Sequence, residues 1–194
     1  MERLASRTRR RFLGASASLA VGATLCGCLG GGGTGGEDDG LPDRVEVTMT
    51  TTPTPMFEPR LAHVAVGGTV VWRLESGSHD TVAYHPDTYG PARIPPSAEP
   101  WASEKLSSVG ETFERTFDAA GVYDYVDTEA VCVAHEVVGN VGRVVVGWPD
   151  YDPEAQPALR PPQEELPSIA QTKIEDLNDE TRTLLEGETT TASE

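Results

Sequence analysis

Along the middle of the chain, apolar residues recur at every second position over short runs. Val45, Val47 and Met49 alternate with polar neighbours, Val64 and Val66 lead into Gly67-Gly68, and Val70, Trp72 and Leu74 line one face of residues 69–74. A period of two, punctuated by Gly and Pro, predicts β-strands. Residues 81–84 read as a short strand beyond His79. Two more follow at 112–117 and 122–126, joined by Asp118-Ala119-Ala120-Gly121, with Tyr123 and Tyr125 on one face. Arg115 interrupts the pattern by sharing a face with Phe113 and Phe117, and 143–147 supplies the last strand. Residues 85–108 are Pro-rich without a clean period, which predicts a long excursion with little regular structure. Short strands separated by turn signals, with no helical period among them, predict an all-β domain over 45–148, an antiparallel Greek-key sandwich.

The pattern changes at both ends. Residues 29–44 are Gly-rich and acidic and cannot bury a core, so they read as a flexible tether. After Trp148 the chain is rich in Pro and acid up to Pro167, and then a helical period appears over about 168–186. Ile174, Leu177, Thr181, Leu184 and Leu185 form a one-sided stripe, with Asp176, Asp179 and Glu180 around the rest. Such a stripe is expected to dock on its own domain, the alternative being a partner-binding helix.

The charge is strongly one-sided: 31 Asp and Glu against 15 Lys and Arg, a formal net charge of −16. Only Lys105 and Lys173 are lysines. This balance argues against nucleic acid as a partner and suits a protein kept soluble in very high salt, where screening removes self-repulsion. At the N-terminus, Thr8-Arg9-Arg10-Arg11-Phe12-Leu13-Gly14 resembles a twin-arginine export signal, followed by a weakly apolar run too short for a membrane span. Leu25-Cys26-Gly27-Cys28 resembles a lipobox, which makes 1–28 a signal and Cys28 the lipidated residue.

Processing at Cys28 would leave Cys132 as the one thiol of the folded part. An odd cysteine in an exported protein points to a metal, an intermolecular bridge or an inert buried thiol. His135 stands three residues after it, ahead of Gly139-Asn140-Val141-Gly142, and His79 lies at the end of another strand. A soft thiolate with two imidazoles suits a copper ion that changes oxidation state with little rearrangement. Asp80 is a candidate to orient His79 from outside the ligand set. His63 and His85 read as an edge and a loop residue. No paired-carboxylate, Ser-His-Asp or phosphate-loop pattern points to an enzyme.

At these residues the chain resembles the cupredoxins, and among them the plastocyanin-like halocyanins of salt-loving archaea. The resemblance rests on Phe57-Glu58-Pro59, Gly68-Thr69-Val70-Val71-Trp72, Ser78-His79-Asp80-Thr81-Val82, Gly121-Val122-Tyr123-Asp124-Tyr125, Cys132-Val133-Ala134-His135 and the run from Gly139 to Gly147. It implies a β-sandwich holding one type 1 copper on His79, Cys132 and His135. Two positions depart from the pattern. Asn140 stands where the family has an axial thioether, which leaves a three-coordinate site, a backbone carbonyl near Ser78 or a water bound through Asn140 as the candidates. Asp127 stands where the family's cysteine is usual, with Cys132 five residues later. The expected role is a blue-copper electron carrier, lipid-anchored through Cys28 on the extracytoplasmic face of the cell membrane and serving membrane redox proteins of a respiratory chain. The rival expectations are a copper-sequestering or delivery lipoprotein and a degenerate, metal-free cupredoxin acting as an interaction module.

Overall fold

The computed structural model describes residues 40–129 and 140–189. The signal, Cys28, most of the tether, Cys132 and His135 lie outside the described residues. Eight strands are described: β1 (Arg44–Thr50), β2 (Met56–Glu58), β3 (Leu61–Val64), β4 (Gly68–Leu74), β5 (Val82–Ala83), β6 (Thr112–Phe117), β7 (Gly121–Val126) and β8 (Val141–Val146). They form two four-stranded sheets, in the orders β2-β1-β4-β6 and β3-β8-β7-β5, which pack as a sandwich.

The expectation of a wholly antiparallel sandwich needs correction. β1 runs parallel to β4, and β3 runs parallel to β8. Connectivity is the cause. After the β1–β2 pair the chain crosses to the second sheet for β3, then returns to the first as β4 beside β1. A hairpin forces neighbours to oppose one another, whereas a chain that leaves and re-enters a sheet can arrive in the same direction.

One face of each sheet builds the core. Val47, Met49, Val70, Trp72 and Leu74 meet Tyr123, Tyr125, Val144 and Val146, with Phe57, Trp101 and Phe117 in the same buried cluster. The Pro-rich excursion is irregular, as its sequence suggests, yet it contributes Ile94, Trp101 and Leu106 to that core. Arg115 is reconciled with its apolar face by stacking: its guanidinium lies 4.9 Å from the Trp101 ring centre and 5.4 Å from that of Phe117. A cation over an aromatic face keeps its charge satisfied while its stem packs as an apolar residue.

Tyr125 stands edge-on to Trp72, with ring centres 5.3 Å apart. Its ring lies so close to the backbone of Gly142 that a Cβ there would come within 2.3 Å of it. Burial raises the Tyr125 phenol well above the ordinary tyrosine value, an effect the nearby Trp72 indole only partly offsets. Burial also raises Tyr123, against the opposing charge of Arg115. The folded state therefore keeps a proton that the unfolded chain gives up above about pH 10. Stability is expected to fall as pH rises beyond that value. Melting temperatures at pH 9 and pH 11 check this, and Tyr125→Phe should make the fall shallower; an unchanged slope would refute the assignment.

The two sheets differ on their outer faces. The first carries exposed ion pairs, Arg44 with Glu114 and Arg73 with Glu46. The second is covered: every residue of β7 and β8 is buried. The cover is the C-terminal tail, a 3-10 turn at Pro157–Leu159 and the helix α1 (Ser168–Thr189). Leu166, Ala170, Ile174 and Leu177 pack on Tyr84, Val126 and Val141, while Ala158, Leu159 and Leu185 pack on Val122 and Val145. The helical stripe thus docks on its own domain.

Charge reinforces that docking. Asp124 faces Arg143 across β7 and β8, and its carboxylate accepts from Arg143 Nε (2.6 Å) and Arg93 Nε (2.8 Å). All three side chains are fully buried. The surplus positive charge is met by the tail. Arg143 donates to Ala158 O, Asn178 Oδ1 and Thr181 Oγ1, and Arg93 donates to the carbonyls of Ala158, Arg160 and Pro161 and to Gln163 Oε1.

Candidate metal centre

Three chain ends of the second sheet meet at one edge of the sandwich. His79 comes from the turn before β5, Asp127 follows the last residue of β7, and Asn140 precedes the first residue of β8. The turn that carries His79 is Ser76-Gly77-Ser78. Gly77 has φ +85, and a Cβ on it would meet Thr51 Oγ1 at 1.8 Å, so both conformation and space demand glycine. His79 is then tied at both backbone groups: its N–H donates to Leu106 O (3.1 Å), and Leu106 N–H donates back to its carbonyl (2.9 Å).

The imidazole is fully buried. Its Nδ1–H donates to Asp127 Oδ2 at 2.5 Å, and its Nε2 meets Thr51 Oγ1 at 2.9 Å. The same Asp127 oxygen accepts from Asn140 Nδ2 (2.6 Å), while Oδ1 accepts from the backbone N–H of Asp80 (3.2 Å). Asn140 Oδ1, at the other end of that amide, is buried with no hydrogen-bond partner among the described residues. Exchanging the amide's two ends would set an oxygen against the carboxylate, so the hydrogen bond to Asp127 fixes the orientation.

The sequence-derived candidates fare differently. The His79 side chain is fully buried. Asp80 does not orient it, because its carboxylate turns to Thr128 and accepts from both the backbone N–H and Oγ1 of that residue. Burial raises the Asp80 carboxyl above its ordinary value, aided by the nearby Asp127 charge and opposed by the Thr128 hydrogen bonds. The Ser78 hydroxyl donates to Leu106 O at 3.4 Å. His63 packs edge-on to Trp148, its Nε2 2.8 Å from Gly147 O, and His85 Nδ1 accepts from Asp87 N–H. Cys132 and His135 lie outside the described residues. The residues that hold His79, Thr51 and Asp127, were not foreseen. The signal for Asp127 was present, since it occupies the usual cysteine position.

Residues 44–147 match the model of copper-binding proteins of the plastocyanin/azurin family. The chain belongs to this family. Among its curated relatives, this cupredoxin is 31% identical over 112 residues to the halocyanin of Natronomonas pharaonis, covering 57% of the chain and 60% of that protein. It is 30% identical over 91 residues to the chloroplastic plastocyanin of Tetradesmus obliquus, covering 47% and 58%. The match thus spans about three fifths of the length of either relative. The fold is shared with a pseudoazurin from Sinorhizobium (TM-score 0.53, 22% identity, 72% of this chain and 97% of that one). It is also shared with the pseudoazurin of Methylobacterium extorquens (TM-score 0.51, 22% identity, 71% and 98%).

The family binds copper, and the described residues of this cupredoxin suit a metal. A buried imidazole, a buried carboxylate and a buried amide oxygen are donors that first-row divalent ions accept. Among the described residues no group of three or more His, Cys, Asp or Glu is gathered. The pocket has two of these, with the amide of Asn140 beside them.

Proposed function

We propose that this cupredoxin is a copper protein that passes single electrons at the extracytoplasmic face of a cell membrane. The observation that carries the reading is the fully buried His79 imidazole, held at the convergence of β5, β7 and β8 in the fold of a copper-binding family. His79 would hold the copper together with Cys132 and His135, with Asn140 at the atypical axial position. Copper bound there would supply one-electron chemistry, with the thiolate favouring the reduced ion and the imidazoles serving either state. The residues around His79 contribute rigidity. Both backbone groups are fixed to Leu106, Thr51 holds Nε2, and Trp101 Nε1–H anchors Thr81 at 3.2 Å. A ligand that cannot swing keeps the rearrangement on electron transfer small. An electron carrier, rather than an enzyme, is the role this arrangement suits.

The proposed setting follows the N-terminal signals: twin-arginine export, a lipid anchor at Cys28, and membrane redox proteins as partners on either side of the electron's path. Among the described residues no helix is long and apolar enough to cross a membrane.

The copper-loaded, lipid-free chain is expected to show an intense visible thiolate-to-copper absorption, and Cys132→Ser is expected to remove essentially all of it. Persistence of the band in that variant would sink the assignment. Copper should also raise the melting temperature, since a ligand held at a hundred times its Kd stabilises the native state by about 2.7 kcal/mol. One observation favours a second reading. Asp127 already occupies Nδ1 of His79, as it would in a cupredoxin that works without metal as an interaction module. A melting temperature unmoved by copper selects that reading.

A further inference from the structure

We propose that Asp127 is itself a metal ligand, so that His79 Nδ1, the Asp127 carboxylate and Asn140 Oδ1 form an oxygen-rich face for Cu(II). The inference rests on His79 being a ligand, as in the proposed function, and does not depend on Cys132.

Three observations carry it. First, Asp127 Oδ2 lies 2.5 Å from Nδ1 of a fully buried imidazole, so any ion taken by that nitrogen meets the carboxylate at once. Secondly, Asn140 Oδ1 is buried and has no hydrogen-bond partner among the described residues, although its own amide nitrogen is anchored to Asp127 Oδ2. An open buried acceptor, on an amide anchored to the carboxylate that also holds the imidazole, is a group that a cation can complete. Thirdly, the donors are buried beside strands of one sheet, His79 in the turn before β5, Asp127 just after β7 and Asn140 just before β8. Asp127 N–H donates to Asn140 O (3.3 Å), which ties the two oxygen-bearing residues together through the backbone as well. Donors fixed by rigid elements are pre-set for coordination.

Donor chemistry selects the ion. One imidazole nitrogen with carboxylate and amide oxygens favours Cu(II) among the common first-row divalent ions. An anionic oxygen prefers the oxidised ion to the soft reduced one, so Asp127 would favour Cu(II) over Cu(I) and draw the redox potential down. Thiolate at the same position would do the reverse.

The test is Cu(II) titration of the full-length chain against a competing chelator, with electron paramagnetic resonance of the loaded protein. Asp127→Asn keeps the shape and removes the charge. It is expected to weaken Cu(II) binding about tenfold or more, to change the copper hyperfine splitting and to raise the potential. A residue that only positions His79 would leave the hyperfine pattern alone, so an unchanged spectrum overturns the proposal whatever happens to affinity. Should Asp127→Asn fail to fold, Asp127→Cys in a Cys132→Ser background carries the test. An intense visible thiolate band in that double variant places residue 127 on the metal, and copper bound without the band overturns it. Wild-type protein that binds Cu(II) through Asp127 yet shows no thiolate band would sustain this inference while refuting the role proposed for Cys132.

Discussion

Asp124→Asn is expected to destabilise the domain by about 3–5 kcal/mol, the usual cost of removing one partner from a buried ion pair. Asp124 is the anion between two fully buried guanidiniums, accepting from Nε of Arg93 at 2.8 Å and from Nε and Nη2 of Arg143 at 2.6 and 3.0 Å. The amide keeps the volume but cannot balance charge, and its NH2 end would point donors at donors. Urea unfolding followed by fluorescence of the tryptophans reads the effect as a lower midpoint. Glu114→Gln is the matched control. Its partner Arg44 is exposed, so loss of that pair should leave the midpoint in place, because water already screens it. A midpoint for Asp124→Asn within error of the control would show that the buried cluster is not what holds β7, β8 and the tail together.

Ending the chain after Trp148 is expected to have a larger effect still. Removal of the tail uncovers Val122, Val126, Val141 and Val145 and strips from Arg93 and Arg143 the carbonyls and side chains that satisfy them. Each buried aliphatic side chain is worth about 1.5–3 kcal/mol, and Leu159, Leu166, Ile174 and Leu177 are all buried in the contact. Releasing the tail returns its ordering entropy, which offsets part of this loss. Arg93 and Arg143 keep Asp124 but lose every acceptor that the tail supplies, against a total stability of about 5–15 kcal/mol for a domain of ordinary size. The shortened chain should therefore lack the near-ultraviolet circular dichroism of packed aromatics at 25 °C. A shortened chain with the full native signal would mean that the tail is an accessory and not part of the fold.

Much of this architecture was written in local pattern. The alternation of Val70, Trp72 and Leu74, and of Tyr123 and Tyr125, reports a core face directly, because side chains of a strand point to opposite sides at a period of two. The stripe of Ile174, Leu177 and Thr181 reports a helix for the same kind of reason at 3.6 residues. The parallel pairing of β1 with β4 left no such trace, since strand direction depends on where the chain crosses between sheets. Asp127 shows the same limit at the site. Its contact with His79 spans 48 residues of sequence, and no spacing rule joins them. Asp80, adjacent to His79 in sequence, looked the better partner, but neighbours on an extended chain point away from each other.

Local pattern and composition encode the strands and their inward faces, the helix and its stripe, and the acidic charge of the chain. The roles proposed for Cys28, Cys132 and His135 rest on sequence alone. Tertiary structure decided which residues meet. It placed Asp127 and Asn140 against His79, and it made Asp124 and Arg143 buried where a bare sandwich would leave them in water. The physical reason is that burial and pairing of polar groups depend on what covers them. Here the cover is the helix Ser168–Thr189, which follows both strands in the chain and whose arrival on the second sheet no local period encodes.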